Sequence, residues 1–257
     1  KTMASAALDR ILELLESPFA PVAVAIGFAI LGGLYIAFTQ WKSQRNRTAY
    51  SSVSFWNRRY KRMMDAALPL QEWYGMDDSI IAFIQLMAKA SHVIHDLGCG
   101  QSQICERLRA LGYQDLSGSD FSKVLIDKRN EEEKKRAKVQ GERATRIKYI
   151  TCDLRTDIPV PAKSVDLVID KATLDAIAYR RNESARDDVK KVLGSVSRIL
   201  KPGGRILSIS LNNDAIFNEY CIHPDFEPAR PTAKIVTKIQ GRSEPANVYI
   251  RRLKLRE

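Results

Sequence analysis

The stretch VIHDLGCGQS, residues 93–102, decides the fold predicted for this chain of 257 residues. An apolar run ends at Asp96, and Gly98 and Gly100 follow before a helical pattern begins near Gln103. Glycines in such a turn allow tight bending and let the backbone come close to a ligand. The stretch therefore predicts a strand, a glycine-rich loop that contacts a ligand, and a helix.

The regions around this stretch continue the alternation of strands and helices. Strands are predicted over residues 92–97, 116–120, 148–152, 165–170 and 204–211, and helices over residues 79–90, 103–111, 123–139 and 187–200. Such alternation is typical of βαβ units and of a parallel sheet. The tail differs, since residues 233–239 and 247–255 have the pattern of an antiparallel hairpin. We therefore predict an α/β fold, a Rossmann-like sheet that ends in a C-terminal antiparallel hairpin.

Acidic residues stand at the ends of three successive predicted strands: Asp96, Asp120 and Asp153. The carboxyl ends of parallel strands meet at one edge of the sheet, where α/β proteins bind their ligands. A carboxylate after the second strand accepts hydrogen bonds from ribose hydroxyls in dinucleotide sites, and one after the third would meet an adenine amino group. NAD normally requires a third glycine in its pyrophosphate cradle, where this chain has Ser102. S-adenosylmethionine carries no phosphate, so the pattern favours S-adenosylmethionine as the cofactor.

Four motifs sharpen this interpretation: FWNRRY (55–60) with EWY (72–74), DLGCGQSQICERL (96–108), GSDFSKVLID (118–127) and VIDKATLDAI (168–177). With them the chain resembles the seven-strand class I S-adenosylmethionine-dependent methyltransferases over roughly residues 50–257. Within that class it resembles the methyltransferase-like lysine methyltransferases that act on elongation factor 1A or citrate synthase. It departs from them at Ala172, where the family usually has glycine, and in its apolar N-terminal stretch.

The resemblance implies a role for each matching position. It places around the cofactor Arg59, Asp96, Gly98, Gly100, Asp120, Phe121, Asp153, Leu154 and Asp170. In this arrangement Asp120 holds the ribose, and Asp153 and Leu154 flank the adenine. Arg59 meets the cofactor carboxylate, with Trp56 and Tyr60 packed over it.

The acceptor side of the reaction rests on the DKATLDA element. Methyl transfer is an in-line displacement, so the enzyme has mainly to position the reactants in a dry pocket. A lysine acceptor must be neutral, and a nearby carboxylate would guide the amine and take its proton. The resemblance implies Asp170 or Asp175 as that catalytic group, without a choice between them, while Lys171 and Thr173 shape the acceptor pocket.

The N-terminal part of the chain has a different composition. Residues 1–16 have an amphipathic helical pattern, and residues 17–41 contain no charged residue. Because about 20 apolar residues span a bilayer core of about 30 Å, we predict one transmembrane helix over residues 17–41. The bases that follow place the remaining chain on the cytosolic or matrix side. Residues 42–78 are predicted to form a basic, aromatic linker that covers the cofactor, and residues 79–257 the methyltransferase domain.

Charge and cysteines limit the partners and the compartment. The net charge is +11 and the pI about 9.5, but the bases form no single cluster, so no nucleic-acid partner is expected. The four cysteines lack CxxC spacing, so no metal site is expected. For a chain that starts at Lys1 rather than Met we expect an amino terminus that is either processed or incomplete. Together these features favour the mitochondrial inner membrane with a matrix-facing domain, over the cytosolic face of the endoplasmic reticulum.

Three functions are compatible with these features. The first is a membrane-anchored methyltransferase that acts on a protein lysine. The second is a small-molecule methyltransferase that acts on a lipid or a quinone. The third is an accessory subunit of a membrane complex, in which the methyltransferase fold has little or no activity. An open or plugged crevice beside Asp96, Asp120 and Asp170 would discriminate the enzymes from the accessory subunit.

Overall fold

The computed structural model describes residues 31–36, 50–66, 72, 74, 78–140, 146–228, 230–239 and 242–254. The chain divides into two units, Lys1–Arg47 and Thr48–Glu257. Residues 31–36 of the first unit are helical. Over the described ranges, no helix combines the length and apolar character needed to span a membrane. Apart from residues 31–36, the span predicted at residues 17–41 lies outside the described residues.

The second unit contains a seven-stranded sheet between two layers of helices. The helices are α1 (Val53–Asp65), α2 (Asp78–Met87), α3 (Ile104–Ala110), α4 (Lys123–Gln140), α5 (Thr173–Ala178), α6 (Glu183–Ile199) and α7 (Asp214–Tyr220). The strands are β1 (Ile94–Leu97), β2 (Leu116–Asp120), β3 (Lys148–Thr151), β4 (Val165–Lys171), β5 (Leu200–Ser210), β6 (Pro231–Ile239) and β7 (Arg242–Arg252). The predicted Rossmann-like α/β sheet is confirmed.

The strand order, β3-β2-β1-β4-β5-β7-β6, opens a crevice above β1. Strands β1 to β5 are parallel, and β7 runs antiparallel to both β5 and β6, as the predicted hairpin requires. β1 lies between β2 and β4, with Asp96 opposite Gly118 and Leu97 opposite Asp170. The chain leaves β1 towards one side of the sheet and later returns on the other side. Ligands of open α/β sheets bind at such a switch point.

Most predicted elements are present, with ends that differ. β2 has the predicted bounds. The helix predicted from residue 187 begins at Glu183, because Asn182 caps it by accepting a hydrogen bond from the Ala185 amide at 2.9 Å. The second hairpin strand, predicted from residue 247, begins at Arg242.

Three helices, α1, α5 and α7, were not predicted. α1 lies within the segment interpreted as a linker, and it buries Tyr60 and Met63 on one side. α5 starts directly after β4, at Ala172, whose φ of 69° reverses the chain where no glycine marks a turn. α7 is short, and Asn213 caps it by accepting from the Ile216 amide at 3.0 Å.

Two apolar layers hold the sheet rigid beneath the crevice. On one face α2 and α3 pack against the sheet. On the other, α6 buries a stripe at helical spacing: Val189, Val192, Leu193, Val196 and Ile199. Full burial of one such side chain contributes about 1.5–3 kcal/mol. The loops at the carboxyl edge therefore stand on a well-packed support.

Candidate cofactor and active site

A cavity of ≈ 930 Å³, open to solvent at its mouth, lies at the carboxyl edge of the sheet. The loops after β1, β2, β3 and β4 form its walls, together with the segment around α1. The predicted cofactor residues that line it are Arg59, Asp96, Gly98, Gly100, Asp120, Phe121, Asp153 and Leu154. Asp170 alone among the predicted set does not line the cavity. The crevice beside these residues is therefore open.

The loop after β1 presents bare backbone to the cavity. Gly98 and Gly100 have φ of 61° and 46°, a region that favours glycine. A Cβ atom on Gly98 would lie 2.2 Å from Oγ1 of Thr173. That hydroxyl donates to the Leu97 carbonyl at 2.7 Å, so it is fixed against the loop. Only glycine at position 98 lets the start of α5 pack this closely.

Arg129 of α4 braces the same loop from below. Its guanidinium donates to the carbonyls of Gly100, at 2.6 Å, and of Ser102. It also pairs with Glu106 at 2.8 Å and lies 4.4 Å from the ring centroid of Tyr149. With both carbonyls engaged from behind, the loop is held in one conformation. No feature of the sequence motifs pointed to this arginine.

Asp120 at the end of β2 is buried and oriented by two backbone amides. Its Oδ1 accepts from Ser122 N at 2.8 Å and its Oδ2 from Gly100 N at 3.2 Å. Burial raises the pKa of Asp120 to about 6, although these two hydrogen bonds act in the opposite direction. Each oxygen keeps a lone pair for a further donor. Asp120 can thus accept hydrogen bonds from ribose hydroxyls, as the sequence predicts.

Asp153, after β3, has a strong partner of its own. Both of its carboxylate oxygens accept from Arg155, at 2.8 and 2.6 Å. The hydrogen bonds from Arg155 lower the pKa of Asp153, so the group stays ionised. Arg155 also lines the cavity and donates to the Ser51 carbonyl at 3.1 Å. Arg155 thereby ties the loop after β3 to the segment before α1.

Aromatic residues cover the cavity from the side of α1. Tyr50, Trp56 and Tyr60 all line it, and Tyr60 is buried. The Trp56 indole donates to the Tyr50 carbonyl at 2.8 Å, and its ring centroid lies 5.6 Å from that of Tyr60. Ser122 donates to Asn57 Oδ1 at 2.5 Å, which fastens α1 to the loop after β2. The cover therefore excludes water from one wall of the cavity.

The floor of the cavity carries a buried acid and a buried base. Asp96 and Lys171 both line it, and their residues are 2% and 8% exposed. Burial raises the pKa of Asp96 to about 7, while Lys171 and Arg129 oppose that rise. Burial lowers the pKa of Lys171, against the effect of Glu72 and Asp96. Oδ2 of Asp96 is buried and has no hydrogen-bond partner among the described residues.

The two aspartates predicted to be catalytic lie behind the cavity wall. Asp170 Oδ1 accepts from the amides of Thr173 and Leu174, so it caps the start of α5. Asp175 is buried and accepts from Tyr74, Ser210 and the Leu211 amide at 2.6–2.9 Å, and from Asn212. Neither residue lines the cavity. Their contacts position the loops, and a direct part in proton transfer stays a prediction.

The residues of the site fit S-adenosylmethionine. Bare glycine backbone leaves room for its amino-acid part, and the unpartnered oxygen of Asp96 can accept from an ammonium group. Asp120 can accept from ribose hydroxyls. Sequence reasoning did not identify several other lining residues: Tyr50, Ser51, Cys99, Gln101, Arg155, Ala176 and Ile177. Four of them, Cys99, Gln101, Ala176 and Ile177, lie within the quoted motifs without an assigned role, and only the folded loops show that they reach the cavity.

Known proteins resemble the chain over this same region. Residues 95–208 match the family described as a methyltransferase domain. The chain is 31% identical to the eEF1A lysine and N-terminal methyltransferase of Bos taurus over 63% of this chain and 22% of that protein. It is 29% identical to the EEF1A lysine methyltransferase 4 of Mus musculus over 63% of this chain and 61% of that protein. It therefore spans less than two thirds of these relatives.

Solved structures show the same fold. The crystal structure of magnesium protoporphyrin IX methyltransferase from Synechocystis, with bound S-adenosylmethionine, matches with a TM-score of 0.50 and 15% identity. The match covers 69% of this chain and 77% of that one. The region that matches the family runs from β1 into β5, so it includes the loops that build most of the cavity. Residues 95–208 thus resemble a methyltransferase domain, and the chain has the fold of a methyltransferase solved with bound S-adenosylmethionine.

Proposed function

We propose that this chain is an active methyltransferase whose acceptor is a lysine side chain of a protein. Its relatives are named for methylation of eEF1A lysine, and the match to the methyltransferase-domain family spans residues 95–208, which include most of the cavity loops. One structural observation carries the proposal. Ala172 and Thr173 of the DKATLDA element line the cavity, and Thr173 contacts the glycine loop. An acceptor that enters there meets the same element that the resemblance assigns to the acceptor pocket.

The chain's own residues account for binding and orientation. Asp96 and the glycine loop would hold the amino-acid part of the cofactor, Asp120 the ribose, and Phe121 and Leu154 the adenine. When bound, S-adenosylmethionine supplies a methyl group activated by a sulfonium. The aromatic cover of Tyr50, Trp56 and Tyr60 excludes water, which favours an in-line approach in a fixed geometry.

The acceptor amine has to arrive with a free lone pair. Asp170 and Asp175 influence the approach of the amine indirectly. Their hydrogen bonds hold the turn that places Ala172 and Thr173 in the cavity wall. Thr173 in turn holds the Leu97 carbonyl at 2.7 Å. A substitution of either aspartate would thus displace the α5 turn and alter the geometry in which the reacting groups meet.

We also propose that residues 17–41 anchor the enzyme to a membrane, and we favour the mitochondrial inner membrane with the catalytic unit in the matrix. These residues lack charge. The described part, residues 31–36, is helical, and its large apolar side chains are more than half exposed. The anchor would raise the effective concentration of an acceptor bound to the same membrane.

One experiment tests acceptor and anchor together. The full chain and a chain that begins at Thr48 are incubated with S-adenosylmethionine labelled in its methyl group, and with membrane and soluble extracts. We expect label on lysine of a protein by mass spectrometry, with more label from membranes for the full chain. Asp120→Ala, which loses the ribose contacts, is the inactive control.

Three results would contradict different parts of these proposals. Label in extracted lipid or quinone would favour the small-molecule methyltransferase. Absence of label from a chain that binds the cofactor in a calorimeter would favour the accessory subunit. Equal labelling of membrane protein by both chains would contradict the anchor and leave the lysine acceptor standing.

A further inference from the structure

Two buried carboxylate oxygens near the glycine loop lack hydrogen-bond partners among the described residues. They are Oδ2 of Asp96 and Oε2 of Glu72, and of these two residues only Asp96 lines the cavity. The other oxygen of Glu72 accepts from the Gln103 amide at 2.7 Å, so its carboxylate is fixed beside the glycine loop. A buried acceptor without a partner costs about 1–3 kcal/mol. The two oxygens therefore mark a place where a donor from a ligand would be stabilising.

Lys171 brings a positive charge to the same place. It is the last residue of β4, is 8% exposed, and lines the cavity together with Asp96. Glu72 and Asp96 are the two acidic groups whose charges act on it, and Arg129 is the basic one. β1 and β4 are neighbours in the sheet, so Asp96 and Lys171 share one end of the cavity. Two acids and one lysine thus converge beneath the glycine loop.

The amino-acid part of S-adenosylmethionine has the complementary charges, an α-ammonium group and an α-carboxylate on one carbon atom. An ammonium can donate to two acceptors, and a carboxylate can accept from a lysine. Charge-assisted hydrogen bonds of this kind are the strong ones in proteins, above all where water is excluded. The carboxylate pair and the lysine match that zwitterion group by group.

We propose that Lys171 binds the α-carboxylate of the cofactor, while Glu72 joins Asp96 in binding its α-ammonium group. Lys171 is then a cofactor-binding residue rather than part of the acceptor pocket, and Glu72 becomes a member of the site. The assignment depends on S-adenosylmethionine as the cofactor and is independent of which acceptor is methylated.

Two other cations line the cavity, Arg59 and Arg155. Arg155 is paired with Asp153 at 2.6 Å, and the resemblance assigns the carboxylate to Arg59. Arg59 belongs to the cover helix α1 and is half-buried, next to Tyr60. Lys171 belongs to the sheet and shares its surroundings with both acids. A buried charge at the end of a sheet strand loses less conformational entropy when it binds a ligand, and it interacts more strongly because less water screens it. These differences favour Lys171.

The test compares ligands that differ by one charged group, measured by calorimetry on the full chain. S-adenosylmethionine and decarboxylated S-adenosylmethionine differ only in the α-carboxylate, and 5′-methylthioadenosine lacks the entire amino-acid tail. We expect the wild-type chain to prefer S-adenosylmethionine over its decarboxylated form by about ten- to hundredfold. Lys171→Met should reduce this preference to about onefold, and Arg59→Met should preserve it.

Glu72→Gln tests the ammonium side of the same assignment. It should lower the affinity for both ligands that carry the ammonium group, and leave the affinity for 5′-methylthioadenosine unchanged. A wild-type chain that does not distinguish the carboxylated from the decarboxylated cofactor overturns the proposal, even if a variant fails to fold. So does a preference that survives Lys171→Met or disappears in Arg59→Met. Failure of lysine methylation would leave these binding results unaffected, so the two proposals fail separately.

Discussion

Gly98 and Thr173 meet where the cofactor loop touches the α5 turn. The hydroxyl of Thr173 donates to the Leu97 carbonyl, and the absent side chain of Gly98 leaves the space for it. One residue comes from the glycine loop and the other from the DKATLDA element, which are far apart in the sequence. Their contact fixes the backbone of the glycine loop relative to the end of β4.

Replacing Gly98 by alanine should disrupt cofactor binding. The new Cβ would lie 2.2 Å from Thr173 Oγ1, and the φ of 61° is strained for alanine. We expect S-adenosylhomocysteine affinity to fall by about tenfold or more, as for a lost charged hydrogen bond. Calorimetric titration measures this. The control is Gly203→Ala, since Gly203 has a φ of 74° in open space. Both variants pay about 1–2 kcal/mol of backbone strain, but Gly203→Ala should bind normally; equal affinities would contradict the role of the Gly98–Thr173 contact.

The roles of single residues could be predicted from the sequence only in part, and Ala172 is one that could. The sequence alone identifies it as a departure from a family glycine, and the structure shows φ of 69° at this position. The backbone therefore keeps the left-handed turn that glycine would adopt, with alanine bearing the strain. By contrast, Lys171 and Glu72 gave no sequence signal for a shared site. Their convergence depends on a segment and a strand that only the fold brings together.

At the scale of elements, α4 does more than cover the sheet. Its sequence is highly charged, and most of its charged side chains are exposed to solvent. One face is different, because Arg129 is 6% exposed and holds the carbonyls of the glycine loop. A helix with little apolar face is thereby joined to the site through a buried, paired cation.

Replacing Arg129 by methionine should lower both stability and cofactor affinity. The change removes the hydrogen bonds to Gly100 and Ser102 and leaves Glu106 without its cation. Loss of one partner of a buried ion pair costs about 3 kcal/mol or more, which urea unfolding would measure. Lys128→Met on the same helix is the control, because its pair with Glu132, at 3.9 Å, is exposed and contributes at most about 1 kcal/mol. If both variants unfold at the same urea concentration, Arg129 does not brace the loop.

The strands could be predicted from their local pattern, whereas α1 and α5 were not predicted. β4 is a largely apolar run that ends at Asp170 and Lys171, and β2 is a short strand that ends at Asp120; the predicted bounds of both are correct or nearly so. α1 is amphipathic and buries Tyr60 and Met63 on one side, but its aromatic and basic sequence was interpreted as a linker. α5 is too short for a periodic signal. The sheet and the acids at its edge could thus be inferred from local pattern, whereas the α5 turn could not and the α1 helix was missed.

For the whole molecule, buried titratable groups set the dependence of stability on pH. Burial raises the pKa of Asp96 and of Asp170 to about 7 and that of Asp120 to about 6, above the usual value of 3.8. The folded chain thus retains protons that the unfolded chain has released, and stability is lost as pH rises from about 4 through 7. Burial lowers the pKa of His95 to about 4, which acts in the opposite direction over the same window. Three carboxyl groups outweigh one imidazole.

We therefore expect the cofactor-free chain to have a larger free energy of unfolding at pH 5 than at pH 7.5. Each proton that the folded chain retains after the unfolded chain has released it lowers the free energy of unfolding by about 1.4 kcal/mol per pH unit within the window. Asp96→Asn should make the dependence shallower, because asparagine does not titrate. Asp127→Asn, at the exposed end of a surface pair with Lys123, should leave it unchanged. Urea unfolding at pH 5, 6 and 7.5 gives the three slopes, and an Asp96→Asn slope equal to that of the wild type would show that this carboxyl group is already ionised at pH 5. An excess of cofactor should reduce the slope in the wild type alone, since an ammonium group bound at Asp96 favours the carboxylate and brings its folded pKa back towards the unfolded value.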